Sequence, residues 1–528
     1  MRLSFDKSRI SDKDKENPTV IFLLEIISQK DELIEQLKDE INRIKKHPRK
    51  PNIKPSSLLK KEKKAKSKKK KGKRPGSKKR KKTAELEIHK DEPLEPKHIP
   101  DCSRFVGYKD FVVQGIKIEP YNIRYRRKVY EIPGGGLVIA DLPEFINGKH
   151  FSPELISFIL YQHYQCHVTQ PLLLEQLREI GTDISSGQLS NILVEDKERF
   201  HQEKDEILSA GLEVSAYVNV DDTGARHMGK NGYCTHIGNE MFSWFESTQS
   251  KSRINFLKLM RAGYTDYVIN PDAICYMMEN GLPQYVQRTV FDHLPSTFSD
   301  DEQWISFLDH NGIVKERHRK IVTEGALIGG IIEHGIRKDL VILSDDAGQF
   351  NVLIHALCWI HAERTIQKVI PFTDQAQKDL DSIQDRIWTL YKGLKLYKEN
   401  SNSKDKRRLE AMFDEIFTTK TTSVELNNAL KRIYQNKTEL LLVLRRPEIP
   451  LHNNGAENAI REYVKRRKIS GSTRSELGRR ARDTFTTLKK TCRKLGISFW
   501  QYLNDRTKGA REIPQIPDLI RAQALHPT

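Results

Sequence analysis

The sequence predicts an α/β fold in its middle portion, and three observations carry that prediction. Residues 214–220 are a β-branched and aromatic run without helical period. Residues 233–237 and 241–246 flank a Gly238-Asn239-Glu240 turn. A helical stretch at 321–335 is followed by a second short apolar run at 339–343, ending in Ser344-Asp345-Asp346. Short apolar runs bounded by turn signals read as buried strands, and two of them around a glycine-bearing turn read as a hairpin. Strand, hairpin, helix, strand is the order expected of an α/β sheet of the RNase H kind.

At 528 residues the chain is long enough for two to four domains. The longest apolar stretch near its start, residues 20–27, is broken by Glu25 and is too short to span a membrane; it is followed by no cleavage-site pattern, so neither export nor insertion is expected. The six cysteines (Cys102, Cys166, Cys234, Cys275, Cys358, Cys492) form no CxxC pair, which argues against a disulfide scaffold or structural zinc and suits a reducing cytoplasm. Net charge is +19, and residues 49–82 alone hold nineteen Lys/Arg against the single acid Glu62, a local excess of +18. Such a tract attracts polyanions by counterion release, although it reads equally as a solvated tail or localisation signal.

Along the chain, residues 1–47 contain a helix at 18–46. Val20, Leu23, Ile27, Lys30, Ile34, Leu37, Ile41 and Ile44 step by three and four, a coiled-coil seam with one polar position. Residues 48–99 are a basic linker expected to be disordered without a polyanion. Residues 100–150 have alternating segments at 111–118 and 121–129 and a triple-glycine turn, predicting a small β module. Residues 151–210 are helical: 153–165, 170–180, and a helix through Leu193 capped by Ser185 or Ser186, a helix-turn-helix-like pair. The core occupies 211–359, a helical insertion 360–450, a second core segment 451–505 and a tail 506–528. Between Arg461 and Lys494 there are thirteen Lys/Arg and three acids, an excess of +10.

Three acidic sites fall where chemistry can be mounted rigidly. Asp221 and Asp222 end the first strand, Asp345 and Asp346 end a later one, and Glu457 lies near the start of a helix that Asn453 or Asn454 could cap. Three converging carboxylates suit a pair of Mg²⁺ ions about 4 Å apart, the arrangement that cuts phosphodiesters. Successive strand residues face opposite ways, so one Asp of each pair faces such a site, and periodicity does not choose which.

The strings Val220-Asp221-Asp222-Thr223, Ser344-Asp345-Asp346-Ala347-Gly348-Gln349-Phe350, Cys358-Trp359-Ile360-His361-Ala362-Glu363-Arg364 and Asn453-Asn454-Gly455-Ala456-Glu457-Asn458-Ala459-Ile460-Arg461 occur in that order, with Gly471-Ser472 beyond. Together they resemble the DDE transposases of the insertion-sequence-66 family over about residues 150–505. The resemblance implies Asp221, Asp345 and Glu457 as catalytic and metal-binding, with two Mg²⁺ or Mn²⁺ ions. It implies Asp222 and Asp346 as neighbours only. The family's zinc module needs Cys pairs; only Cys102 stands near that position, so residues 100–150 are expected to be a metal-free remnant and no zinc is expected.

Arg461, one turn after Glu457, together with Lys465, Lys468, His361 and Arg364, is expected to contact DNA phosphates. His361 reads equally as a buried hydrogen-bonding residue, and Cys358 and Trp359 as core. The function implied is cleavage at element ends followed by 3′-OH attack on target DNA. Its partners would be DNA terminal repeats and target, a second copy or a larger synaptic assembly, and accessory proteins of the same element. The location would be cytoplasmic and nucleoid-associated, with no membrane. On the residues alone, a DDE-type nuclease without strand transfer and a non-catalytic DNA-binding protein derived from a transposase remain alternatives.

Overall fold

The computed structural model describes residues 87–143, 146 and 150–525. The expected coiled coil and the basic tract at 49–82 lie outside the described residues. Residues 103–128, where two strands are expected, contain no helix or strand, and Phe111, Val113 and Ile116 are almost fully exposed. Alternation makes a strand only when a second layer covers its apolar face, and no second layer lies here among the described residues. What forms is a short hairpin, β1 (Val129–Glu131) and β2 (Leu137–Ile139), around Gly134-Gly135-Gly136.

The helical region follows expectation: α1 (Pro153–Leu160) continued by a π-helical turn, α2 (Gln170–Glu179), α3 (Ser186–Val194) and α4 (Glu198–Val214). Ser185 is the cap of α3. Its hydroxyl accepts from Gln188 N at 3.2 Å while the Gln188 side chain accepts from Ser185 N at 2.9 Å, a reciprocal capping box. Leu189 and Leu193 seat α3 in the core. Ser186, Gln188 and Asn191 stay exposed.

The centre is a mixed five-stranded sheet. Strand β3 (Tyr217–Gly224) pairs antiparallel with β4 (Tyr233–Gly238), which pairs antiparallel with β5 (Ser243–Thr248). Helix α5 (Arg253–Met260) leads to a small antiparallel pair, β6 (Tyr267–Ile269) and β7 (Ser296–Phe298). Helices α6 (Pro271–Glu279) and α7 (Gln284–Phe291) lie between those strands, and α8 (Asp301–His310) and α9 (Glu316–Glu333) follow them. The chain then returns to the sheet as β8 (Val341–Ser344), parallel to β3 with Asn219 opposite Leu343, and β9 (Ile354–Leu357), parallel to β8. The strand order is β5-β4-β3-β8-β9.

The first strand starts three residues later than its apolar run, because α4 continues through Val214. Asp221 and Asp222 do not end it: pairing with β4 runs on to Gly224, and only the pairing with β8 stops at Asn219. Strand β9 has no signal of its own in the sequence, since its four residues include His355.

Past β9 the insertion is helical, as expected: α10 (Trp359–Gln367), α11 (Asp374–Glu399), α12 (Ser403–Phe417), α13 (Val424–Gln435) and α14 (Lys437–Leu440), around a core of their own that includes Trp359, Leu390 and Phe413. Helices α15 (Asn454–Ser470), α16 (Glu476–Lys494) and α17 (Phe499–Lys508) follow. The expected tail holds a further helix, α18 (Ile516–Leu525), with Ile516 and Ile520 buried.

Helix α16 closes the sheet's edge. At spacing i, i+4, i+8, Asp483, Thr487 and Thr491 accept from the backbone N–H groups of Ser247, Phe245 and Ser243 at 2.8, 3.0 and 3.2 Å. Unpaired edge donors are thereby satisfied by side chains rather than by another strand. Much of the basic charge of this region turns inward: Arg466, Arg482 and Lys489 are buried, so the +10 excess is not one continuous solvent face. Among the described residues, no helix is long and apolar enough to cross a membrane.

Candidate functional site

Alternation along β3 settles which aspartate faces which layer. Val218 and Val220 join the large core with Ile237 and Ile342 on one face. Tyr217, Asn219 and Asp221 point to the other, with Val341 and Leu343, where α15 lies. Asp345 continues the parity of Val341 and Leu343 one step past the end of β8. Asp221 therefore stands just past the last parallel β3–β8 pair, inside β3, and Asp345 just past the end of β8, on the same face.

Glu457 comes to that face through a buried asparagine lock. Asn453 heads α15 but its side chain does not cap the helix. Its amide instead donates to Val220 O at 2.7 Å and accepts from Asn219 Nδ2 at 2.8 Å, while its backbone N–H meets Cys358 Sγ at 3.1 Å. This ties the start of α15 to β3 and to the start of α10. Gly455 faces Asn219, and a Cβ there would come within 3.4 Å of its side-chain oxygen. Glu457 lies one turn further on.

The electrostatics follow from that convergence. Burial, then the charges of Asp345, Asp222 and Glu457, push the Asp221 carboxyl up to about 7, against the hydrogen bond it accepts from Asp222 N at 2.8 Å. Asp345 Oδ1 accepts from Ala347 N at 3.1 Å. Glu457 is 15% exposed; its Oε1 is buried without a hydrogen bond, 3.6 Å from Arg364 Nη1 and 3.9 Å from His361 Nε2. Arg461 Nη2 lies 3.5 Å from the other carboxylate oxygen. Burial holds the His361 imidazole below the usual histidine range, although Glu457 pulls it upward.

The neighbouring acids point elsewhere. Asp222 accepts from Gln349 Nε2 at 2.8 Å, and burial still raises its carboxyl above the usual range. Asp346 is exposed and is held by Arg432, with Asn436 Nδ2 at 3.3 Å. The loop after Asp345 is pinned by Arg253, whose Nη2 donates to Gly348 O at 2.7 Å. Arg253 in turn faces the buried Glu324 at 3.6 Å.

Of the residues singled out in the sequence, Asp221, Asp345, Glu457, His361, Arg364 and Arg461 gather here. Lys465 and Lys468 are exposed further along α15 and touch none of the three acids. Cys358 and Trp359 are core, as expected: the thiol is pushed up to about 11 by burial, and the indole donates to Leu440 O at 2.8 Å. Asn219, Asn453, Gln349 and Arg253 were not foreseen in these roles. The readable signal was Asn219, a polar side chain inside an otherwise apolar strand.

An all-oxygen donor set with a buried, unbonded carboxylate oxygen suits a hard divalent cation. Among the described residues, no three His, Cys, Asp or Glu side chains stand close enough to close a ligand set around one ion. With only protein charges present, like-charged carboxylates separate, and Arg364 and Arg461 draw Glu457 to themselves. The chemistry of the donors fits a divalent cation, and their spacing does not close a ligand set around one. Cys102 is exposed and unpaired.

A mixed sheet with acids just past the paired portion of two adjacent parallel strands, faced by a basic helix, defines a protein class that comparison with known sequences identifies. Residues 339–481, which carry Asp345, His361, Arg364, Glu457 and Arg461, match the family model described as Transposase IS66 family. The chain is also similar to the uncharacterized protein y4jO of Sinorhizobium fredii (strain NBRC 101917 / NGR234), with 43% identity over 321 residues, 60% of this chain and 100% of the relative. The chain belongs to the IS66 family of transposases.

Proposed function

We propose that this transposase has an RNase H-like DDE core, in which Asp221, Asp345 and Glu457 hold divalent metal ions. Its reaction would cut DNA at the ends of its element and join the freed 3′-OH to target DNA. The reading is supported by the positions of the three acids: Asp221 and Asp345 just past the paired portion of the adjacent parallel strands β3 and β8, and Glu457 on the helix locked across them by Asn453. Bound there, a pair of Mg²⁺ or Mn²⁺ ions would neutralise the crowded phosphate and supply Lewis acidity on both sides of it.

The chain's own residues supply the rest. Asp221, with its carboxyl pushed up to about 7, holds its proton more tightly than an ordinary aspartate, and a bound cation would have to displace that proton. Arg461, Lys465 and Lys468 lie along one side of α15 and would grip the DNA backbone leading away from Glu457. Arg364 and His361 hold Glu457 until then. Hydrolysis breaks the P–O3′ bond and leaves a 3′-OH on the element end. That hydroxyl then attacks a target phosphorus and displaces another 3′-oxygen, one phosphodiester replacing another with no external energy source and no protein nucleophile.

In this scheme the α2–α3 pair would read element ends, and a second copy would bring two ends together. Accessory proteins of the element and a nucleoid location belong to the same proposal. The test uses full-length protein, duplexes carrying the element's ends, and Mg²⁺. Asp345→Asn is expected to abolish nicking and the joining of pre-cut ends while keeping duplex affinity. Nicking without joining by the wild type would make the protein a nuclease. An active Asp345→Asn variant would remove the carboxylate assignment.

A further inference from the structure

Beyond the acids, β3 runs on to a turn that the proposed chemistry does not use. His227 and Lys230 exchange both backbone hydrogen bonds, at 3.0 and 2.9 Å, leaving Met228 and Gly229 as the two turn residues. Both have positive φ, 47° and 76°. A two-residue turn of this kind favours Asn-Gly, since a side chain without a local hydrogen bond is strained there. Met228 is nevertheless in the first position, and its side chain is 63% exposed. No packing offsets the strain.

The turn is also held rigidly. Met228 N donates to Thr473 O at 2.9 Å, and Thr473 N donates to Arg226 O at 3.2 Å. The His227 ring is hydrogen-bonded to Thr473 Oγ1 and Glu476 Oε1, each at 2.8 Å. Arg226 Nη2 donates to Gly229 O at 2.8 Å, and Arg467 reaches from α15 to Gly224 O. Around the apolar tip, Arg226, Lys230 and Arg474 are exposed, and residues 224–232 contain no acid.

We propose that this hairpin tip is a DNA wedge: Met228 inserts between stacked bases near the cleavage site, and Arg226 and Lys230 clamp the flanking phosphates. A fixed, solvent-facing apolar side chain between cations matches duplex DNA, whose backbone is anionic and whose base steps are apolar once opened. A protein partner would not need the cations, and a strand extended by roughly 3.3 Å per residue sets the reach. Met228, seven residues beyond Asp221, lies roughly 10–20 Å away, on the order of three to six base steps at 3.4 Å each. The placement relative to the cut rests on the function proposed above; the wedge itself does not.

The test is equilibrium binding of the full chain, in EDTA, to nicked 40-base-pair duplexes of mixed sequence. Each duplex carries one 2-aminopurine at successive positions from the nick. Wild type is expected to raise fluorescence at one position three to six base pairs out, which reports local unstacking. Met228→Asn suits the turn better, so it is expected to keep or raise thermal stability while losing the fluorescence rise. Arg226→Ala with Lys230→Ala is expected to lower the salt dependence of binding by about two phosphate contacts. No rise at any position with wild type, or a rise that survives Met228→Asn, overturns the wedge. A rise that depends on Met228 in a protein that cannot cleave with Mg²⁺ keeps the wedge and removes the catalytic reading instead.

Discussion

Replacing Asp221 by Asn should make the metal-free protein more stable while destroying its activity. The Asp221 carboxyl ionises at about 7 in the folded chain, against 3.8 ordinarily, because burial and three neighbouring acids oppose its charge. The folded state therefore holds a proton that the unfolded state releases, and wild type loses stability as pH rises from about 4 to about 7, with no further loss above that. Three pH units at 1.36 kcal/mol each set a ceiling of about 4 kcal/mol. Partial access to solvent lowers the expected effect to about 1–2 kcal/mol. An asparagine side chain has nearly the same shape as the aspartate and no charge, so the variant should melt about 1–2 °C above wild type at pH 8 in EDTA, with no gap at pH 4. Thermal melts across that range are the assay. Adding Mg²⁺ should then raise the wild-type midpoint more than the variant's, because only wild type keeps the full ligand set. A gap that stays constant from pH 4 to pH 8 would refute the claim that the acids repel one another here.

Other consequences reach further into the fold. Asn453→Ala would strand Val220 O and Asn219 Nδ2 in the interior, costing about 2–4 kcal/mol in urea unfolding; an unchanged midpoint would deny the lock its role. Glu203 accepts from Tyr502, from Nε and Nη2 of Arg506, and from Ile516 N at 2.7–3.0 Å. Glu203→Gln should cost about 3–5 kcal/mol and expose residues 509–525 to limited proteolysis, with α18 protected in wild type. His167 and the buried Lys489 hold the Glu462 carboxyl far below its usual range. That stabilisation is complete above about pH 4.5 and is lost as pH falls, so the melting gap between wild type and Glu462→Gln should close on acidification. A gap independent of pH would rule it out.

What was legible in the sequence was whatever repeats locally. The β3 run, the Gly238-Asn239-Glu240 hairpin and the helical insertion all follow from periodicity and turn chemistry. Strand β9 was not legible, because a parallel edge strand of four residues has no period to read. The strands expected at 111–129 failed for the opposite reason: the pattern is present but nothing among the described residues covers it. The charge excess between Arg461 and Lys494 says nothing of what α16 packs against. Its Thr and Asp positions serve the edge of β5, a contact between segments more than 230 residues apart that no local rule encodes. At the site, the residues alone left each Asp pair open, and the resemblance chose Asp221 and Asp345. Strand parity resolves each pair once the register with β8 and the side covered by α15 are known.

The departures from local rule gather at one end of the sheet. Asn219 is polar in a buried strand, Asn453 heads a helix without capping it, Met228 occupies a left-handed turn position, and Glu457 is buried with an oxygen that accepts no hydrogen bond. Each alone costs free energy that a better-suited residue would not. The asparagines satisfy one another, so their cost is already offset within the protein. Glu457 is offset in part by the cations of Arg364 and Arg461 at 3.5–3.6 Å, although neither donates a hydrogen bond to it, whereas Met228 has no packing to offset its turn position. An unpacked apolar side chain in a left-handed turn and a carboxylate oxygen that accepts no hydrogen bond are the pattern of groups completed by something outside the chain. The two points ask for different things, an apolar stack at the turn and a hard cation at the acid. On the function and the wedge proposed above, a metal-loaded DNA backbone running from Glu457 toward Met228 would satisfy both.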